Sequence, residues 1–153
     1  MTESTFDPMA TPEPSPQLRE LGRRMVGKAR LSGGVEGTSE FEWMEGGHFL
    51  IQRVDLTQHG MHVKGMEIIG HLRPFGEPPS DEIRSRFYDN HGNTLDYVYE
   101  LDGDTLTVWG GEKGSPAYMK ATIDPDGTSR GEWVYPGGGG YQFTSTPIAD
   151  LPG

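Results

Sequence analysis

The chain has 153 residues, a net charge of −10 at pH 7 and no cysteine. This length suffices for one domain with a hydrophobic core, and the excess of acidic residues argues against nucleic acids and anionic membranes as partners. Without cysteine the chain has no disulfide, thiolate metal ligand or cysteine nucleophile. The 23 glycines and 12 prolines interrupt a regular alternation of apolar and polar residues, which is typical of a β protein with many turns.

We expect no secretory signal at the N-terminus of this sequence. The segment MTESTFDPMATPEPSPQ has no basic region followed by an apolar stretch, which is the pattern of a secretory signal. No apolar run approaches the roughly 20 residues that a membrane helix needs. We therefore predict a cytoplasmic protein with no membrane partner.

A tail and one short helix are predicted before the strands begin. Residues 1–14 hold three prolines among Thr, Glu and Ser, so we expect a disordered tail, with residues 15–153 forming a single domain. Ser15 suits an N-cap and Pro16 the first helical position. Apolar residues then recur at spacings of three and four, namely Leu18, Leu21 and Met25. This pattern predicts a helix over residues 16–24.

After this helix the apolar pattern has a period of two, which indicates β-strands. About ten such segments are separated by turn signals, among them DNHGN (89–93), DGD (102–104), EKGSP (112–116), DPDG (124–127) and PGGGG (136–140). Short connections suit antiparallel neighbours, and a closed sheet has no exposed edge. We therefore predict an all-β fold, an antiparallel up-and-down β-barrel. A two-sheet sandwich is the alternative.

The predicted inner wall of this barrel is unusually aromatic. A barrel of this size is either filled by its own side chains or holds one small ligand. Apolar surface with a few hydrogen-bonding groups is typical of small-molecule pockets. We therefore predict a cavity for a small hydrophobic or aromatic molecule, with a filled core as the alternative. The expected ligand-binding wall residues are Trp43, Phe87, Tyr97, Tyr99, Met119, Trp133 and Tyr141.

Two further residues, His48 and Arg53, are candidates for contacting a polar group of the ligand. Histidine is also the usual acid–base group at neutral pH. The segment HFLIQRV is apolar on both faces, however, so the alternation leaves open which face of strand 48–54 points inward. No nucleophile–base arrangement is recognisable, and the catalytic residues, if any, stay unknown.

The remaining motifs predict neither a phosphate site nor a metal site. PGGGG leads into a strand pattern, with no lysine and no helix following, unlike a P-loop or a dinucleotide fingerprint. We predict a hairpin turn or bulge there. His59 and His62 flank a turn, and no Asp or Glu completes a usual metal spacing. We expect no metal and no cofactor.

Residues 43–53 (WMEGGHFLIQR), 102–107 (DGDTLT) and 131–133 (GEW), with the glycines that follow, resemble a family of bacterial lipocalin-like proteins. That family is a domain of unknown function with a calycin-type barrel. The resemblance extends over residues 18–147 and implies a lipocalin-like barrel. Its motifs are turn and core positions, so it implies no catalytic residues.

More distantly, the pattern is similar to nitrobindin, a ten-stranded haem-carrying barrel. Its early Gly-x-Trp-x-Gly-x-Gly signature is not met, because Lys28 stands where the tryptophan belongs. Nitrobindins also take their axial histidine from late in the chain, whereas the last histidine here is His91. Both departures count against haem.

Three classes of function stay open. The favoured one is a non-catalytic carrier of a small hydrophobic or aromatic molecule. The second is a cofactor-free barrel enzyme of cyclase or isomerase type, which folds a hydrophobic biosynthetic intermediate into a reactive shape. The third is a haem or metal carrier. The oligomeric state is also open, with a homodimer as one alternative.

Overall fold

The computed structural model describes Asp7 and residues 10–149. Within them the chain forms one helix followed by ten strands. These are α1 (Pro16–Met25), β1 (Gly27–Gly33), β2 (Glu36–Trp43), β3 (Phe49–Gln58), β4 (Met61–His71), β5 (Ile83–Asp89), β6 (Thr94–Asp102), β7 (Thr105–Gly110), β8 (Tyr118–Ile123), β9 (Ser129–Val134) and β10 (Tyr141–Ile148). No helix among the described residues has the length and apolar character needed to cross a membrane.

The ten strands form one closed antiparallel barrel. Each strand pairs with its neighbours in the chain, and β1 also pairs with β10, where Lys28 lies opposite Ile148. This arrangement confirms the predicted up-and-down barrel, and the sandwich alternative is wrong. Closure leaves no strand with an unpaired edge.

The predicted turns connect these strands. Asp89 accepts hydrogen bonds from the backbone N–H groups of His91 and Asn93, at 2.8 and 2.9 Å, and so fixes the β5–β6 hairpin. In the PGGGG segment, Gly137, Gly138 and Gly139 have φ angles of 86°, 100° and 90°, which side-chain-bearing residues rarely adopt. This segment joins the antiparallel pair β9 and β10, so the predicted hairpin turn is confirmed.

Helix α1 closes one end of the barrel. The Ser15 hydroxyl accepts a hydrogen bond from the Leu18 N–H at 3.1 Å, and Pro16 begins the helix, as predicted. Leu18 and Leu21 are each only 1% exposed and pack in one core with Phe41 from β2. The apolar side of the helix therefore packs against the barrel interior and closes this end of it.

Residues 10–14 lie next to this helix. Arg73 donates a hydrogen bond to the Ala10 carbonyl, and Arg19 donates one to the Glu13 carboxylate, each at 3.0 Å. The disorder predicted for residues 1–14 lies partly outside the described residues, at residues 1–6, 8 and 9.

The opposite end of the barrel is formed by alternate turns. Because consecutive strands are antiparallel, the turns after β1, β3, β5, β7 and β9 lie together, away from α1. We call this end the mouth. Leu95 and Tyr135 lie there, and both face the interior while remaining 45% and 37% exposed. The interior therefore reaches solvent at the mouth.

Candidate functional site

The barrel encloses a cavity of about 280 Å³. Met25 of α1 lies at its base, and Val35 and Tyr135 lie at the mouth. Between them the wall is mainly aliphatic and aromatic. Cavities of about 150 Å³ lined by apolar side chains bind benzene, so the space here suits a molecule of one or two rings.

Most of the ligand-binding residues predicted from the sequence line this cavity. They come from five strands, and each stands at a position of its strand where the side chain points into the barrel. They are Phe87, Tyr97, Tyr99, Met119, Trp133 and Tyr141. The Tyr97 and Trp133 rings contact each other with centroids 5.7 Å apart, and Tyr135 stacks on Trp133 at 5.9 Å. A contact of these residues with a ligand stays a prediction.

Trp43 does not line the cavity, in contrast to its predicted place on the inner wall. It is the last residue of β2, and its indole lies on α1 instead. A Cβ atom added at Gly22 would lie 1.9 Å from Cζ2 of Trp43, so only glycine permits this contact. Trp43 therefore packs the helix onto the barrel end.

His48 and Arg53 also lie outside the cavity. Leu50, Gln52 and Val54 point inward, and Arg53 points outward, where it forms an ion pair with Glu42. This settles the face that the sequence left open. His48 precedes β3 and lines an outer groove beside residues 11–15. Neither side chain lines the cavity, so neither supplies a charged group to the interior.

Glu67 of β4 is a charged residue that does face the cavity, and the sequence reasoning missed it. It is only 4% exposed and faces the cavity. The Tyr99 hydroxyl donates a hydrogen bond to its Oε2 atom at 2.5 Å. The available signal was parity, because Glu67 shares its face of β4 with Val63 and Ile69 in the segment MHVKGMEIIGHL.

Burial dominates the electrostatics of this carboxyl group. It raises the pKa of Glu67 above its ordinary value, and the nearby Ser85 and Tyr99 hydroxyls partly oppose that rise. Ser85 Oγ lies close enough to act on the carboxyl charge, yet it forms no hydrogen bond with any described residue. Burial and the adjacent carboxyl also raise the pKa of Tyr99 far above 10. Tyr99 is therefore a neutral donor throughout the physiological range.

Glu67 belongs to a short polar band in the otherwise apolar wall. Gln52 lies directly opposite Glu67 in the β3–β4 register, and its Nε2 donates to Ser39 Oγ at 3.0 Å. We define the polar band as Ser39, Gln52, Glu67 and Tyr99. It spans β2, β3, β4 and β6 at mid-depth, where its groups could orient a bound molecule.

The mouth carries a second carboxyl group. Asp89 ends β5 and lines the cavity, and hydrogen bonds from Asn93 and the His91 backbone lower its pKa. It is therefore ionised at neutral pH. The described cavity lining contains Glu67 and Asp89 but no Lys, Arg or His.

Among the described residues, no three His, Cys, Asp or Glu side chains lie together as a metal site would require. A comparison with models of known protein families and with curated proteins finds no match to this chain. The likeness to lipocalin-like and nitrobindin-like proteins therefore stays a prediction. The closed β-barrel itself is observed in the structure.

Proposed function

We propose that this protein binds a small apolar or aromatic molecule inside its barrel. The observation that carries the proposal is the cavity of about 280 Å³, closed by α1 at one end and open at the mouth. A filled core would have no such space, because protein interiors pack at the density of organic crystals. The aromatic wall supplies contact area, and the polar band supplies a few oriented hydrogen-bonding groups.

The proposal is tested by filling the cavity. Ala121 faces inward on β8 and Thr122 faces outward on the same strand, so Ala121→Phe and Thr122→Phe form a matched pair. The probe is 1-naphthalenemethanol, a neutral two-ring alcohol, titrated by calorimetry. We expect binding by the wild type and Thr122→Phe, and loss of binding in Ala121→Phe. A folded Ala121→Phe variant with unchanged affinity would contradict the proposal, as would a wild type that does not bind.

A second candidate is the cofactor-free barrel enzyme, and Glu67 is the observation that favours it. A carboxyl group whose pKa is raised by burial, held by Tyr99 in a largely apolar cavity, suits proton transfer. Its carboxylate would remove a proton from the carbon next to a carbonyl group and return one to the resulting enolate.

Proton exchange tests this second candidate directly. In D₂O, 2-tetralone loses the NMR signal of its exchangeable protons, and an active cavity would accelerate that loss. We expect acceleration by the wild type and none by Glu67→Gln, with Glu132→Gln as an exposed control on β9. An equal rate with wild type and Glu67→Gln would exclude Glu67 as the base.

A further inference from the structure

The charges around the cavity restrict what it binds. Glu67 and Asp89 are the charged groups of the described lining. The arginines on the strands flanking β4 point outward and are already in ion pairs: Arg53 with Glu42, Arg84 with Glu82 and Glu112, and Arg86 with Asp96. No cation of the described chain therefore neutralises Glu67 from inside the barrel.

The groups that face Glu67 are all neutral. From β3 it faces Gln52, from β5 Phe87 and Ser85, and from β6 Tyr97 and Tyr99. Tyr99 occupies Oε2, and among the described residues no donor is bonded to Oε1. An uncompensated buried carboxylate is costly, so a ligand that brings a cation would remove this cost.

The wall next to the polar band also favours a cation. Aromatic ring faces attract ammonium groups. Tyr97 and Trp133 contact each other in the wall, and Tyr135 extends this aromatic surface to the mouth. The net charge of −10 and Asp89 at the entrance raise the local concentration of cations and disfavour anions.

From these contacts we infer that the ligand is a primary amine on a one- or two-ring apolar body, with its ammonium group bound by Glu67. The inference rests on the proposed function. The ring body occupies the aromatic and aliphatic space, and the ammonium group donates to Glu67 Oε1. The neighbouring acceptors of the polar band, in Gln52 and Ser39, take further N–H groups.

Three probes of one size and different charge test this inference. They are 1-naphthylmethylamine, 1-naphthalenemethanol and 1-naphthoate, which carry an ammonium, a neutral and an anionic group at pH 7. Calorimetry with the wild type should show the amine binding about tenfold or more tighter than the alcohol, a difference of about 1.4 kcal/mol. The naphthoate should bind most weakly.

Two variants of equal net charge test whether the preference for the amine over the alcohol depends on Glu67. Glu67→Gln should reduce amine affinity about tenfold, to the level of the alcohol, and leave alcohol binding within about threefold. Glu132→Gln, on the outer face of β9, should behave as the wild type. Thermal melting verifies that both variants are folded.

The outcomes separate this inference from the proposed function. If the alcohol binds as tightly as the amine, or if Glu67→Gln keeps the amine preference, the amine inference is overturned and the cavity proposal stands. If none of the three probes binds to the wild type, the proposed function is contradicted and this inference with it.

Discussion

The Tyr99 hydroxyl donates a hydrogen bond at 2.5 Å to the Glu67 carboxylate although their strands are not neighbours. β5 lies between them, and its inward Ser85 is buried beside the pair. The bond therefore spans β5, joining β6 to β4, and it fixes the position of the Glu67 carboxyl group. Several properties of the barrel depend on this one contact.

We expect Tyr99→Phe to destabilise the protein by about 1–3 kcal/mol, because it leaves a buried carboxyl oxygen without its donor. Since the Tyr99 hydroxyl lowers the pKa of Glu67, its loss should raise that pKa further. Urea unfolding measures the first effect and the NMR titration of the Glu67 carboxyl carbon the second. Tyr118→Phe, on the outer face of β8, is the control. Equal stabilities of the two variants would exclude an energetic role for the bond.

The raised pKa of Glu67 gives the stability a defined pH dependence. Between its ordinary value of 4.5 and its value in the folded protein, the folded state binds more protons than the unfolded state. The free energy of unfolding therefore falls as pH rises through this window, by about 1.4 kcal/mol for each unit of raised pKa.

Glu67→Gln should abolish this contribution, so its stability relative to the wild type should increase from pH 4.5 to pH 8. Urea unfolding at the two pH values measures this change. Glu132→Gln is exposed and should show no such trend. A constant difference between Glu67→Gln and the wild type would mean that Glu67 titrates normally.

The affinity for 1-naphthylmethylamine should increase with pH, whereas the free energy of unfolding decreases with pH. The ammonium group pairs with the ionised form of Glu67, which must lose its proton before or during binding. Affinity should therefore rise between pH 5 and pH 8, whereas that of 1-naphthalenemethanol should stay nearly constant. Calorimetric titrations at several pH values measure both, and the rise should vanish in Glu67→Gln. An amine affinity that is flat with pH would contradict pairing with Glu67.

The contact between Gly22 and Trp43 predicts an inverted effect of alanine. In a helix interior, Gly→Ala normally stabilises by about 0.5–1 kcal/mol. Here the new Cβ would lie 1.9 Å from the Trp43 ring, so we expect Gly22→Ala to destabilise by about 1–3 kcal/mol. Thermal or urea unfolding measures the change.

The double variant Gly22→Ala/Trp43→Ala separates steric conflict from helix propensity. Once the indole is removed, the alanine has room, so adding Gly22→Ala to Trp43→Ala should no longer destabilise. If the two substitutions are additive, the conflict with the ring is not the cause.

The barrel itself followed from local sequence signals. Alternation recurs in most strands and turn residues separate them, and closure is the arrangement that leaves no edge, so the fold could be predicted from these local signals. The wall residues of β5, β6, β8, β9 and β10 were predictable for the same reason. In those strands one parity is mainly apolar and the other is mainly polar.

The site was only partly predictable, because three residues depend on tertiary context. Arg53 was ambiguous because Ile51 on its outward face pairs with Ile68 of β4, which makes both faces of β3 apolar. The inward parity of Trp43 was correct, but alternation does not show where a strand passes the end of the barrel. Glu67 was missed because a carboxyl group normally faces water, although it shares its face of β4 with Val63 and Ile69.

The pairing of β1 with β10 also governs the order of assembly. During synthesis β1 is made before the other strands of the barrel, whereas its second neighbour, β10, is made after all of them. Until then both β1 and β9 have free edges that can pair with other chains. Contacts of such long sequence separation form slowly, so the incomplete barrel remains open to aggregation until β10 pairs with β1 and β9. Substitutions that weaken the pairing of β10 should therefore lower the yield of folded protein, even where they change the free energy of unfolding of the closed barrel only slightly.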